Sequence, residues 1–241
     1  MLSTGSHPLL LGHRGARPVR RFGLYPPEPE IPAENTLAAF DYAMANGCDG
    51  FELDVRHTRD RRPVVCHDPE HDGRAVAQHD YAGLERRHGY KLPCLEDVLH
   101  RFGANSYLDI ELKAAGNERA VAAALHAAPP QRGFVVSSFL PEVVLALHEL
   151  HPPLPLGYIC KETEAARLWT GLPIQIFIPH HSLVSERLVD EVHARDIRLF
   201  TWTVNKRADL LRLAEWGVDG LISDDPKLLA ETFPSAIAAS V

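Results

Sequence analysis

The chain has 241 residues, of which 45% are hydrophobic and 24% charged, and its formal net charge is −7. It is long enough to bury a sizeable core in one α/β domain, and no basic cluster interleaved with aromatic residues predicts nucleic-acid binding. No apolar run approaches the ~20 residues of a membrane-spanning helix, so stable membrane insertion is not expected.

The cysteines predict a reducing compartment. Cys48, Cys66, Cys94 and Cys160 form no C-x-x-C pair and are typical of isolated thiols. The apolar run at residues 9–11 is too short for the core of a signal peptide. We therefore predict a cytoplasmic protein, and the sequence gives no indication of its oligomeric state.

The first elements are a strand, a loop and a helix. After a flexible start over residues 1–7, the apolar run at residues 8–12 predicts a buried strand that Gly12 ends. The prolines between residues 16 and 33 exclude a long helix or strand and predict a loop. The helix that follows has Asn35 or Thr36 as its N-cap, and Gly47 ends it.

Residues 51–55 alternate apolar and acidic side chains, which is typical of a half-buried strand. Glu52 and Asp54 share one face, with their Cα atoms about 6–7 Å apart. Two adjacent unpaired carboxylates repel each other, and a hard divalent cation between them removes the conflict. The alternative is the solvated outer face of an edge strand.

A hairpin follows the acidic strand. Residues 56–62 separate it from the apolar run at 63–68, which is too short a connection for a crossover helix. A turn at Asp60 and Arg61 would bring His67 back beside Glu52 and Asp54. The polar segment 69–92 lacks clear periodicity and predicts a loop or small insertion.

The rest of the chain alternates strands and helices. A helix begins at residue 93, and later helices are predicted at 117–127, 141–150, 164–170, 185–195, 207–216 and from 226. Strands are predicted at 107–113, 134–139, 156–159, 174–179, 198–204 and 220–223.

Without the hairpin strand, eight strands remain, and most are followed by a helix. This pattern predicts an α/β fold, a (β/α)8 TIM barrel with an extra β-hairpin strand after strand 2. One domain is expected over residues 1–241, with its core at about 8–230 and a small insertion at 69–92. An open doubly wound sheet fits less well, because no glycine-rich phosphate turn follows the first strand.

Polar residues fall at the carboxyl ends of the predicted strands, where barrel enzymes carry their chemistry. Carboxylates without cysteine suit Mg²⁺ or Ca²⁺ better than Zn²⁺. Arginine and lysine beside a metal suit a phosphate, and two histidines suit acid–base work. A phosphodiester would use all of these groups, which are His13, Arg14, Glu52, Asp54, His67, Glu111 and Lys113.

Several of these residues also have structural interpretations. Lys113 could simply neutralise Glu111 or Asp109, and Trp202 could be a core residue. Asp224 is interpreted as the cap of the last helix, because Pro226 follows. The histidines at 57, 71, 79, 88, 100, 180 and 181 are interpreted as packing residues.

The ordered motifs resemble the glycerophosphodiester phosphodiesterase family over nearly the whole chain. The segments that carry the resemblance are 13–15 (HRG), 33–40 (AENTLAAF), 50–55 (GFELDV), 58–60 (TRD), 63–68 (PVVCHD), 111–113 (ELK), 138–139 (SF) and 202–205 (WTVN). Three departures are Ala33, where the family usually has proline, a longer loop over residues 17–31, and a short segment after His67.

The resemblance implies a (β/α)8 barrel that uses one divalent cation, Mg²⁺ or Ca²⁺, to hydrolyse small-molecule glycerophosphodiesters to sn-glycerol 3-phosphate and an alcohol. It implies metal ligands at Glu52, Asp54 and Glu111, and an acid–base pair at His13 and His67. It also implies phosphate or substrate contacts at Arg14 and Lys113, and walls of the substrate pocket at Phe139 and Trp202.

Three alternatives to this function remain at this stage. They are a lysophospholipase D, a cyclising phosphodiesterase that acts on lipids, and a barrel that binds glycerophosphodiesters without turnover.

Overall fold

A computed structural model describes residues 7–18, 31–71, 73–85 and 92–234. Its elements in chain order are β1 (Leu9–Gly12), α1 (Leu37–Ala45), β2 (Gly50–His57), β3 (Pro63–Val65), β4 (Glu70–His71), β5 (Arg74–Ala75), α2 (Tyr81–Glu85), α3 (Leu95–Phe102), β6 (Tyr107–Leu112), α4 (Glu118–Ala127), β7 (Phe134–Ser138), α5 (Pro141–Leu150), β8 (Leu156–Cys160), α6 (Thr163–Ala166), β9 (Ile176–Pro179), α7 (Glu186–His193), β10 (Arg198–Thr201), α8 (Arg207–Glu215), β11 (Gly220–Ser223) and α9 (Pro226–Thr232).

Eight parallel strands form a closed barrel. Their order is β1-β11-β10-β9-β8-β7-β6-β2, and β1 also pairs with β2, which closes the ring. β3 pairs antiparallel with the outer edge of β2. The predicted TIM barrel with an added hairpin strand is therefore confirmed, whereas the predicted single domain over residues 1–241 stays a prediction.

Two apolar layers support the barrel. Inside it, strand residues such as Leu11, Ile176 and Phe200 fill the space below the carboxyl ends of the strands. Outside it, strand and helix side chains pack together, and the stacked rings of Phe40 and Phe51 lie 4.2 Å apart. The inner layer closes the barrel floor, so a ligand has access only from the carboxyl-terminal rim.

The two candidate caps of α1 have different roles. Thr36 is the N-cap, because its Oγ1 accepts the N–H of Ala39 at 3.1 Å. Asn35 has a left-handed φ of 58°, and its side chain contacts Asp54 in the barrel instead. The loop before α1 was predicted over residues 16–33, and residues 19–30 of it lie outside the described part of the chain.

The predicted hairpin is confirmed. Val55 pairs with Val65 and His57 with Pro63, and the turn between them includes Arg61 at a φ of 61°. The second strand is shorter than predicted, because ladder pairing stops at Val65. His67 therefore lies just beyond the paired part of the hairpin.

The segment predicted as a loop at 69–92 has more structure than expected. It contains the short β4–β5 pair and α2, while residues 72 and 86–91 lie outside the described part. Val76, Tyr81, Leu84 and Leu92 form a small apolar cluster with the hairpin. Their irregular spacing gives no helical or strand period, which is why the sequence pattern did not indicate it.

Of the helices in the described ranges, none has the length and apolar character needed to cross a membrane.

Candidate active site

Three buried carboxylates converge at the carboxyl-terminal end of the barrel. β2 and β6 run parallel with Asp54 beside Glu111, and Glu52 lies two residues earlier on the same face as Asp54. One oxygen from each carboxylate lies within 4.8 Å of the other two. The three residues predicted as metal ligands are thus brought together, which excludes the solvated edge-strand interpretation.

The cluster fits a divalent cation. Oε1 of Glu52 is buried without a hydrogen-bond partner, and the buried Oδ1 of Asp54 and Oε1 of Glu111 face a single ammonium group. The nearest cation is Lys113, whose Nζ lies 2.6 Å from Glu111 Oε1 and 3.1 Å from Asp54 Oδ1. Buried anionic oxygens need compensation, and hard cations take oxygen ligands of this kind.

The charge balance supports the same interpretation. The buried carboxyl groups near the centre are those of Glu52, Asp54, Asp109 and Glu111. In the described part of the chain, the arginine and lysine side chains that interact with one or more of them are Arg14, Arg56 and Lys113. If all are ionised, the carboxylates outnumber these cationic side chains by one, and a bound cation would offset this excess of negative charge.

The crowding of these carboxyl groups in a buried site shifts their pKa values. Burial, together with Asp54, raises the pKa of Glu52 well above its usual range and that of Glu111 to about 7. Burial also opposes ionisation of Asp54, but Lys113 and Arg14 outweigh it, so the pKa of Asp54 is lowered. Asp54 is therefore the permanent anion of the cluster, and its neighbours take up protons more readily.

Arg14 is fixed at the rim by its backbone and side chain. Its φ is 52°, and its backbone N–H donates to Glu52 Oε2 at 2.8 Å. Its Nε lies 3.0 Å from Asp54 Oδ2, and its Nη1 donates to Glu34 Oε1 at 2.6 Å. Glu34 thus holds the guanidinium from outside the cluster, while Asn35 Nδ2 donates to Asp54 Oδ2 at 2.7 Å.

Both predicted histidines line the cavity that contains the acidic cluster. Nδ1 of His13 lies 2.7 Å from Asp224 Oδ1, and its Nε2 lies 3.9 Å from Glu52 Oε2. Nδ1 of His67 lies 2.8 Å from the exposed Asp68, and burial lowers the pKa of His67. Each imidazole therefore has Nδ1 engaged by a carboxylate, which leaves Nε2 for a ligand.

The prediction that Asp224 caps the last helix is wrong. Asp225 is the cap, because its Oδ1 accepts the N–H of Leu228 at 3.0 Å. Asp224 instead contacts His13, and Asn205 Nδ2 holds its second oxygen at 2.6 Å. The signal was present in the sequence, because an N-cap directly precedes a proline at N1 and Asp225, not Asp224, has that position.

Substitution of Asp224 is expected to affect activity, whereas substitution of the adjacent Asp225 is expected to affect stability. Asp225→Ala is expected to cost about 1 kcal/mol of the free energy of unfolding, with kcat near the wild-type value. Asp224→Ala should lower kcat roughly 10-fold to 100-fold, since an imidazole without its orienting partner loses its alignment. Steady-state kinetics and chemical denaturation of both variants test this. Equal kcat values for the two variants would contradict the role of Asp224.

The cavity has a volume of about 130 Å³ and combines charged and apolar walls. Phe139 and Trp202 meet edge to face at 5.3 Å, and Lys113 Nζ lies 5.6 Å from the Phe139 ring. Trp202 is only partly buried, and its Nε1 donates to the carbonyl of Ile178 at 3.2 Å. Both aromatic residues therefore line the same cavity as the histidines, and Lys113 reaches both the carboxylates and this wall.

A TIM barrel whose rim holds a cluster of carboxylates that could bind a metal ion, two histidines, an arginine and a lysine is typical of a phosphodiester hydrolase. Residues 13–228 match the Glycerophosphoryl diester phosphodiesterase family, so the chain belongs to this family. The predicted family and the predicted enzyme class are thus confirmed.

Similar proteins agree with the assignment. The chain is 30% identical over 219 residues to a glycerophosphodiester phosphodiesterase of Caldanaerobacter subterraneus, covering 81% of this chain and 90% of the relative. The fold is similar to that of a glycerophosphodiester phosphodiesterase of Thermotoga maritima, with a TM-score of 0.77, 23% identity, and coverage of 95% of this chain and 99% of the other.

An Oleispira antarctica phosphodiesterase, whose structure is in complex with the product sn-glycerol-3-phosphate, also has this fold. Its TM-score is 0.77 at 22% identity, with 95% of this chain and 98% of the other covered.

Proposed function

We propose that this enzyme hydrolyses glycerophosphodiesters to sn-glycerol 3-phosphate and an alcohol, with one divalent cation, Mg²⁺ or Ca²⁺, and two histidines. The observation that supports this most directly is one cavity lined by Glu52, Glu111, His13 and His67, with the cationic side chains of Arg14 and Lys113 beside them. The four buried free cysteines are consistent with a cytoplasmic enzyme.

Glu52, Asp54 and Glu111 would hold the cation. When bound, it would offset negative charge on the phosphate oxygens and polarise the phosphorus centre. Arg14 and Lys113 would hold the same phosphate through charge-assisted hydrogen bonds. The protein thus provides positive charge where the transition state develops negative charge.

His13 and His67 would transfer the protons. One imidazole takes a proton from the attacking oxygen as its bond to phosphorus forms, and the other protonates the leaving alkoxide as its bond breaks. The attacking oxygen is either water or the 2-hydroxyl of glycerol, and attack by the hydroxyl gives a cyclic phosphate that water then opens. Phe139 and Trp202 would form walls beside the organic part of the substrate and exclude water.

A turnover screen tests the proposal. Chelated enzyme is assayed with glycerophosphocholine, glycerophosphoethanolamine and lysophosphatidylcholine after Mg²⁺ or Ca²⁺ is added back. We expect sn-glycerol 3-phosphate to be released from the first two substrates, and only when a cation is present. The apolar floor formed by Ile159, Ile178 and Ile222 closes the cavity below the glycerol and favours the first two substrates over one that carries an acyl chain there.

The outcomes separate the alternatives. Preferred turnover of lysophosphatidylcholine would support a lysophospholipase D, and accumulation of a cyclic lipid phosphate would support a cyclising lipid phosphodiesterase. Calorimetric binding of glycerophosphocholine without turnover under either cation would support a non-catalytic barrel. Each of these results would contradict the proposed function.

A further inference from the structure

We propose that Asp109 binds the terminal hydroxyl group of the substrate's glycerol and so selects substrates in which that hydroxyl is free. This inference rests on the proposed function and names a residue that the chemistry above does not use. Asp109 lies on β6, is fully buried, and lines the same cavity as the acidic cluster and the histidines.

One oxygen of Asp109 lacks a partner. Oδ1 accepts a hydrogen bond from Ser137 Oγ at 2.5 Å, which fixes the carboxyl group, whereas the buried Oδ2 has no hydrogen-bond partner. A buried polar atom of this kind costs free energy unless a ligand pairs with it. A hydroxyl group can donate or accept, so it can pair with the carboxyl group in either protonation state.

At its level in the cavity, Asp109 lies beside Glu52 of β2, which we propose holds the cation, so Asp109 is the carboxyl group left for the substrate. The floor residues contributed by β8, β9 and β11 are apolar, and they are Ile159, Ile178 and Ile222. A small number of polar groups in an otherwise apolar pocket fixes ligand orientation and specificity. Asp109 therefore provides a hydrogen bond where the cavity offers mainly apolar contact.

The depth of Asp109 matches a hydroxyl remote from the phosphate. It precedes Glu111 by two residues on β6, so its Cα lies about 7 Å further from the rim than that of Glu111, level with Glu52 on the neighbouring strand. With the phosphate held at the rim by Arg14 and Lys113, the glycerol group can extend toward the closed floor. The leaving alcohol then points toward the open mouth, where larger groups fit.

This arrangement distinguishes glycerophosphodiesters from lysophospholipids. An acyl ester on the terminal hydroxyl removes the donor and leaves Asp109 Oδ2 unpaired. It would also place an acyl chain against a floor closed by three isoleucines. Sites that hydrogen-bond a substrate hydroxyl reject analogues without it much more strongly than apolar pockets reject an extra methylene group.

The test compares glycerophosphocholine with its analogue in which hydrogen replaces the terminal hydroxyl of glycerol. Wild-type kcat/KM should be about 10-fold to 100-fold lower for the analogue. Asp109→Leu should lower kcat/KM for glycerophosphocholine by a similar factor and hydrolyse both substrates at rates within about 3-fold of each other. Asp109→Asn keeps a hydrogen-bonding group and should retain most of the preference.

Ser106→Ala is the matched control. Ser106 is also buried and its Oγ is also unpartnered, but it precedes β6 at the opposite end of the barrel and does not line the cavity. This variant should keep the wild-type preference. Equal wild-type rates on the two substrates, or an unchanged preference in Asp109→Leu, would overturn the inference.

If Asp109→Leu does not fold, equal wild-type rates on the two substrates would still overturn the inference, and Asp109→Asn still tests the residue. Absence of glycerophosphocholine turnover by wild-type enzyme would instead contradict the proposed function. The two failures are therefore distinguishable.

Discussion

Replacing His13 or His67 by alanine is expected to lower kcat at least ~10²-fold on glycerophosphocholine, because each variant loses one proton-transfer group. The barrel should remain folded, since both imidazoles lie at the rim and not in either apolar layer. Product release measured at saturating substrate and cation gives kcat, and circular dichroism checks the fold. His148→Ala, at an exposed position on α5, is the control and should have the wild-type rate.

The same variants can show which histidine is the acid. The 4-nitrophenyl ester of glycerol 3-phosphate has a leaving group that needs little protonation. The variant that lacks the general acid should therefore recover most of its activity on this ester, whereas the variant that lacks the base should not. Wild-type rates for both histidine variants on glycerophosphocholine would refute the assignment.

The second large effect concerns the acidic cluster. Asp54→Asn and Glu111→Gln should each lower kcat/KM about 10³-fold, since loss of cation binding removes several kcal/mol of transition-state stabilisation. In wild-type protein, a cation at about 100 times its Kd should add about 2.7 kcal/mol to the free energy of unfolding. For a chain of this length, that corresponds to a Tm increase of about 5–10 °C.

Calorimetry of chelated protein, before and after Mg²⁺ or Ca²⁺ is added, measures this shift. Neither cation should change the Tm of the Asp54→Asn variant. A full Tm increase in that variant would show that the cation binds elsewhere.

The cluster also predicts a pH dependence for the metal-free protein. The pKa of Glu111 is raised to about 7 in the folded state, whereas a glutamate in the unfolded chain titrates near ~4.3. The folded state therefore binds more protons between these values, so this group makes the free energy of unfolding fall as the pH rises through that window. Glu111→Gln should make the decline shallower in chelated protein, as measured by denaturant titration from pH 5 to pH 8. An unchanged slope would contradict the prediction.

The alternation of apolar and polar residues, together with the number of predicted strands and helices, was enough to predict which strands carry the site. The spacing of Glu52 and Asp54 indicated a shared face, and the position of Glu111 on the next barrel strand placed it beside them. The short connection after β2 indicated a hairpin and hence the proximity of His67. These inferences depend on the period of a strand and on the length of a connection, and both can be read directly from the sequence.

Other contacts depend on geometry that periodicity does not encode. Asn35 was a candidate cap, but its left-handed backbone turns its side chain to Asp54. Asp224 was interpreted as a cap, although it meets His13, which is 211 positions away in the chain. Likewise, the sequence indicated Asp109 only as a possible partner of Lys113, and neither its hydrogen bond from Ser137 nor its unpaired oxygen follows from spacing.

The hairpin attached to β2 has a consequence for how such an enzyme can change. His13 directly follows the barrel strand β1, whereas His67 follows β3, which lies outside the closed barrel. A change of register between β3 and β2 would shift one imidazole relative to the other without altering the pairing between barrel strands. The gap between the two imidazoles that we propose transfer protons is thus an adjustable parameter, and changes in the hairpin alone could accommodate new leaving groups.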